Sequence, residues 1–201
     1  YVAYNYRQLN TSLSLLAKHY AENNNGDIMD FYSQETGFQF DYEISYLAPT
    51  QIVYQRFLNH FYISDNELRA NLALNDFIHK HHLQLAGPLT IVFFDEANLR
   101  FQGGKYEVEM FYPIEPTTLQ HPMLDQRPGQ WVISRLHLGD YDELPQVFEM
   151  LHKRIAEENL KPAGPPFEQY LVDYLYLNNK SSFLTRVGVP IAEPPPQHPL
   201  K

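Results

Sequence analysis

One short module occurs twice along the chain. Leu83-Gln84-Leu85-Ala86-Gly87-Pro88 returns as Leu160-Lys161-Pro162-Ala163-Gly164-Pro165, and Tyr112-Pro113-Ile114 returns as Val189-Pro190-Ile191. Both pairs are 77 positions apart (83 to 160, 113 to 190). The same step matches His60 with His137, Asp65 with Asp142, Leu74 with Leu151 and Ile78 with Ile155. A constant offset across separated anchors predicts a tandem duplication. A duplicated half in turn predicts two similar antiparallel sheets facing each other across a pseudo-twofold axis, with a ligand cleft between them.

Periodicity and breakers give both halves one order of elements. Ile52 to Leu58 alternates and is rich in β-branched and aromatic residues, which predicts a strand. Ser64-Asp65-Asn66-Glu67 has capping-box spacing ahead of a helix running through Leu68, Leu72, Phe77 and Ile78 to His82, and Ala86-Gly87-Pro88 stops it. Strands follow at 89–95 and 106–112, with 98–104 as a loop. The second half reads as strand 130–138, turn Gly139-Asp140, helix 142–159, breaker 162–166, and strands 167–173 and 183–189. Pro145 falls in the first turn of that helix, where its missing N–H costs least. Each half is thus β-α-β-β, and the expected class is α+β. Repeat 1 spans 41–115 and repeat 2 spans 129–192, within one domain of 41–192. The stretch 115–129, with Pro116, Pro122 and Pro128, reads as a linker.

The ends differ from this body. Residues 4 to 22 lack Pro and Gly and set Tyr6, Leu9, Leu13, Leu16 and Tyr20 on one helical stripe, closed by Asn23-Asn24-Asn25-Gly26. The region 1–40 is therefore read as an N-terminal helix and connector. Such a stripe either forms a homodimer or packs on its own domain. Residues 193–201, with Pro194-Pro195-Pro196, read as an extended tail. The start at Tyr1 without methionine points to a preceding segment.

Composition narrows the function. A net charge of −9 without a Lys/Arg block argues against this chain itself holding nucleic acid or docking on an anionic membrane. The absence of cysteine removes disulfides and thiolate chemistry and suits a reducing, cytoplasmic setting. Leu89-Thr90-Ile91-Val92-Phe93-Phe94, among the longest apolar runs, is far short of the roughly 20 residues of a membrane span. No phosphate loop, dinucleotide fingerprint, Gly-x-Ser-x-Gly or His-Glu-x-x-His motif occurs. No cofactor is therefore expected. His79 and His82 have a spacing that can hold a metal, but Lys80 stands beside them, no acidic third ligand is evident, and histidines suit a helix C-terminus anyway. The expectation is no metal, with His137 as a hydrogen-bonded structural residue.

Three stretches of the second half resemble the GyrI-like effector-binding domain. They are Leu136-His137-Leu138-Gly139-Asp140-Tyr141-Asp142-Glu143-Leu144, Gly164-Pro165-Pro166-Phe167-Glu168-Gln169-Tyr170-Leu171, and Leu184-Thr185-Arg186-Val187-Gly188-Val189-Pro190-Ile191. The first half is similar through Tyr42-Glu43-Ile44-Ser45-Tyr46-Leu47-Ala48-Pro49 and Tyr106-Glu107-Val108-Glu109-Met110, but has Phe61-Tyr62-Ile63-Ser64 in place of the glycine turn. The resemblance covers about 41–191. It implies helices on one side of the sheets and a concave aromatic pocket on the other. It also implies a small-molecule sensor behind the DNA-binding part of a MerR-like or AraC-like transcription regulator, a few relatives being hydrolases. DNA would then be contacted only through a region outside this chain.

Strand alternation nominates the pocket residues. Tyr106, Val108, Met110 and Tyr112 suit burial under a helix, which leaves Glu107, Glu109 and Phe111 on the cleft face. Phe183, Val187 and Val189 likewise leave Arg186. Glu168 and Tyr170 are set opposite Phe167 and Leu171, and Phe93 is the counterpart of Tyr170. Tyr54 and Trp131 are matched by the offset on the first strands of the two halves, and the single tryptophan suits a planar ligand or plain core. The resemblance adds that many relatives binding cationic aromatic drugs carry glutamate where this chain has Arg186. Two readings stay open for the pair at the same offset. Glu109 and Arg186 form an ion pair across the pseudo-axis, or Arg186 offers its fork to a ligand carboxylate or carbonyl. The expected function is an effector-binding domain for an aromatic or amphipathic small molecule, not an enzyme. A stand-alone binding protein and a hydrolase are the alternatives.

Overall fold

The structure, a computed structural model, describes residues 42–60, 65–95, 105–172 and 183–193. The helix expected at 4–22, the connector to 40, the loop at 98–104 and nearly all of the tail lie outside them. The fold is α+β, with eight antiparallel strands and two α-helices among the described residues. In chain order these are β1 (Tyr42–Leu47), β2 (Thr50–His60), α1 (Asp65–Lys80), β3 (Thr90–Phe93), β4 (Lys105–Ile114), β5 (Leu124–Arg127), β6 (Gln130–Leu138), α2 (Leu144–Glu157), β7 (Phe167–Val172) and β8 (Leu184–Ile191). A 3-10 turn, Tyr141–Glu143, leads into α2, and Pro145 sits in the first turn of α2 as expected.

The strands form one sheet in the order β1-β6-β8-β7-β3-β4-β2-β5. This corrects the expectation of two separate sheets. The short strands β3 and β7 pair with each other (Thr90 opposite Gln169, Ile91 opposite Glu168, Val92 opposite Phe167), so neither half keeps an open edge there. Two strands come from stretches not read as such. Leu124–Arg127, inside the supposed linker, pairs with β2, and Tyr42–Leu47 pairs with β6. The latter therefore extends the second half's sheet, although its sequence precedes the first half.

Within each half the same local geometry recurs 77 positions apart. Both helices end on a left-handed residue, His82 (φ 54) and Asn159 (φ 53). The next amide reaches back five residues in each case, Leu83 N to the Ile78 carbonyl and Leu160 N to the Ile155 carbonyl, both at 3.0 Å. Ala86 N donates to the Pro113 carbonyl and Ala163 N to the Pro190 carbonyl, both at 2.8 Å. Gly87 and Gly164 allow these approaches, since a Cβ would stand 2.7 Å from Pro113 Cγ and 3.2 Å from Pro190 Cγ. His82 is thus the helix stop, and it has left the helical face on which it was to join His79.

The offset fails on the first strand of each half. Tyr54 pairs with Phe111, but Gly188, which lies 77 after Phe111, pairs with Ser134. The true counterpart of Tyr54 is Ser134, 80 positions on, so the link from strand to helix is three residues shorter in the second half. Three is odd, and an odd slip turns every side chain to the other face. The Tyr54–Trp131 and His60–His137 matches are therefore not structural equivalents.

Both helices cover one face of the sheet. Leu74, Phe77 and Ile78 of α1 pack with Val53, Ile91, Phe93, Tyr106, Val108, Met110 and Tyr112. Val147, Phe148, Leu151 and Ile155 of α2 pack with Ile133, Val187, Val189 and Ile191. Each buried Leu, Ile or Phe contributes about 1.5–3 kcal/mol, so these clusters set which face each strand presents.

Candidate functional site

The nominated residues divide between the two faces. Tyr54, Glu107, Glu109, Phe111 and Arg186 lie opposite the helices, as alternation predicts. Phe93, Glu168, Tyr170 and Trp131 do not join them. Cross-strand pairing sets Phe93 beside Val108, Glu168 beside Val187, Tyr170 beside Thr185 and Trp131 beside Ile191, all on the helix face. For Trp131 the cause is the three-residue slip; its ring packs at the margin of the α2 core, edge-on to Tyr46 at 5.5 Å. For β7 the cause is burial on both faces, which removes the alternation signal and leaves only the rule that a carboxylate avoids the core.

Glu168 breaks that rule. It is 0% exposed, lies in the β3–β7 seam opposite Ile91, and accepts a hydrogen bond from the Tyr170 hydroxyl. Aromatic rings from both halves gather on this face. Phe93 stands 6.5 Å from Tyr106 and edge-on to Phe148 of α2 at 6.4 Å. Tyr141 meets Tyr170 edge-on at 5.4 Å and stacks on Phe183 at 4.9 Å. Tyr141 also packs against the cores of both helices. Thr185, cross-strand from Tyr170 and His137, is fully buried, and its hydroxyl has no hydrogen-bond partner among the described residues. A buried carboxylate costs far more than a neutral polar group unless something answers its charge, whereas aromatic faces attract cations. Tyr106, Tyr141, Phe148, Phe183 and Thr185 were not nominated from the sequence. The Tyr141 position was within reach, since it sits in a stretch shared with the GyrI-like pattern.

The opposite face carries charge in pairs in its first half. Arg56 holds Glu107 through Nε and Nη2 at 2.9 and 2.8 Å and lies 3.6 Å over the Phe94 ring. That bond holds the Glu107 carboxyl below its ordinary pKa. Glu109, 5% exposed, is paired with Arg127 of β5. Of the two readings left open for Glu109 and Arg186, the ion pair is not formed, because β5, which was not foreseen, brings a nearer guanidinium. Between the two halves of this face Val92, Val132 and Phe167 form an apolar patch flanked by Leu47, Phe94 and Phe111.

His137 is structural. Its Nε2 lies 3.1 Å from the Asp140 carbonyl and 3.5 Å from Glu143, around a turn made by Gly139 at φ 148. Among the described residues no three His, Asp or Glu side chains gather as a metal site, and no helix is long and apolar enough to cross a membrane.

No protein-family model and no curated protein matches this sequence. Solved structures do. The C-terminal domain of EcmrR is similar with a TM-score of 0.67 at 13% identity, over 77% of this chain and 98% of that one. EcmrR in complex with DNA is similar with a TM-score of 0.67 at 12% identity, over 92% of this chain and 68% of that one. A hydrolase from Listeria innocua is similar with a TM-score of 0.57 at 11% identity, over 82% and 98%. At these identities the likeness is one of fold: the chain shares the fold of the EcmrR C-terminal domain.

Proposed function

We propose that this chain is the small-molecule-sensing domain of a transcription regulator, and that its ligand is an aromatic or amphipathic cation held between the two halves on the helix face. The observation that carries the reading is Glu168, a carboxylate with no exposed surface, placed in the seam between the halves and surrounded by rings from both. Phe93, Tyr141, Phe148 and Tyr170 would meet the ligand's apolar body, and Glu168 its charge. Arg186, whose charge would oppose a cation, lies on the other face of the sheet. The two halves are read as copies of one ancestral module, which the paired helix stops at His82 and Asn159 support. DNA would be contacted only through a region outside this chain, and self-association would run through the Leu9, Leu13 and Leu16 stripe.

Titration with benzyltrimethylammonium, followed by calorimetry, tests the site. Binding to the wild type and at least tenfold weaker binding to Glu168→Gln are expected, with tert-butylbenzene derivatives of the same shape and no charge binding poorly. Equal affinity in wild type and Glu168→Gln would refute the assignment. The hydrolase alternative rests on one observation, a tyrosine hydroxyl hydrogen-bonded to a buried carboxylate, and predicts turnover of an electrophilic ester that Tyr170→Phe abolishes.

A further inference from the structure

On the face away from the helices Arg186 differs from Arg56 and Arg127, the strand arginines of the first half among the described residues. Arg56 is held bidentately by Glu107, and Arg127 is held by Glu109. Arg186 is half-buried, yet its hydrogen bond is to a neutral amide, Gln169 Oε1, at 3.4 Å, and no carboxylate lies within ion-pair distance among the described residues. The near-symmetry of the sheet makes the gap plain. Outer strand β5 supplies the cation that closes on Glu109, whereas outer strand β1, in the corresponding place beyond β6, supplies only Glu43. Glu43 is exposed and pairs across from Ser134, and it acts on Arg186 through space without reaching it. Burial lowers the pKa of Arg186 from its ordinary value, and Glu43 offsets this only in part.

The surroundings are apolar. Arg186 lies in a cross-strand row between Leu136 and Gln169. On one side of that row Leu136, Leu138, Leu171 and Leu184 cluster together. On the other, the Phe167 ring covers Gly188 so closely that a Cβ there would stand 2.3 Å from Phe167 Cζ. A guanidinium fork with free donors, flanked by aliphatic side chains, matches a planar carboxylate on a hydrocarbon tail.

We propose that Arg186 and Gln169 form a second binding site, separate from the Glu168 cluster and on the opposite face of the sheet, for an amphiphilic carboxylate. Its carboxylate takes the Arg186 fork within reach of the Gln169 amide, and its chain lies along the half-buried Leu136 and Leu138. Glu109, at the matching position of the first half, is already closed by Arg127, so the site exists once and not twice.

The test compares three ten-carbon probes on the full chain, namely decanoate, decan-1-ol and decyltrimethylammonium, by calorimetry and by thermal shift. Decanoate should bind and raise the melting temperature more than decan-1-ol, whereas decyltrimethylammonium, an amphipathic cation suited to the Glu168 cluster, should give the same response in the wild type and in Arg186→Gln. Arg186→Gln should weaken decanoate about tenfold or more, and Arg186→Lys, which keeps the charge but loses the fork, by less. Equal response to decanoate and decan-1-ol would overturn the proposal, because the carboxylate would not be read. So would unchanged decanoate affinity in Arg186→Gln, or no decanoate binding at millimolar concentration. The comparison of decanoate with decan-1-ol uses the wild type alone, so it decides the matter even if a variant folds poorly.

Discussion

Tyr170→Phe removes one hydroxyl and leaves Glu168 in a place that water does not reach. The hydrogen bond lost is one to a charged group, worth about 1.5–3 kcal/mol. Because Glu168 is 0% exposed, the upper part of that range applies, about 2–3 kcal/mol. For a chain of this size that lowers the melting temperature by about 4–12 °C. Glu168→Gln keeps an acceptor for the tyrosine but removes the charge, so the double variant should recover part of the loss. Urea unfolding of the wild type, both single variants and the double variant gives the coupling, expected at about 1–2 kcal/mol. A coupling below about 0.5 kcal/mol would show that Tyr170 does not answer the charge of Glu168, and the polar centre described for the helix face would fail with it.

Gly188→Ala should destabilise the fold by about 1–3 kcal/mol, since the new methyl would overlap the buried Phe167 ring, and Phe167→Leu in the same chain should restore part of it. Glu107 has its folded pKa held below the ordinary 4.5 by the Arg56 hydrogen bond, so its contribution is present above that value and is lost as pH falls through the lower, folded one. Stability measured from pH 6 down to pH 3 should therefore fall less steeply in Glu107→Gln, and an identical acid limb would show that the pair contributes nothing.

Most of the scaffold was legible because its signals are local. The 16-residue helix α1 follows from its apolar spacing, and the boundaries of β6 were read without error from alternation and the flanking glycines. β1 and β5 were missed for opposite reasons. Leu124–Arg127 is four residues among prolines, too short to show a period, and Tyr42–Leu47 joins a strand nearly 90 residues away. The faces of β4 and β8 were read correctly because each has one plainly apolar side. The face of β7 was not, because Phe167, Glu168, Tyr170, Leu171 and Val172 are all buried, and the one charged residue among them faces the core. A position that breaks the polar-outside rule inside a consistent scaffold is where function is expected, and the rule itself hid Glu168. Trp131 was misplaced by a length difference in a link that no residue pattern marks.

The pairing of β3 with β7 has a mechanical consequence. Among the described residues ten pairs bind β2 to β4 and eight bind β6 to β8, whereas the β3–β7 ladder between the halves has three. The β3–β7 ladder is therefore the shortest among the described strands, and a crease on the line between Ile91 and Glu168 would leave every longer ladder intact. Phe93 and Phe148 touch across that crease from opposite sides. A molecule wedged there would change the dihedral angle between two rigid plates without breaking either core. Because β1 runs from the chain's N-terminal side onto the outer edge of the second plate, that rotation would be delivered to whatever precedes Tyr42 as a displacement of its anchor.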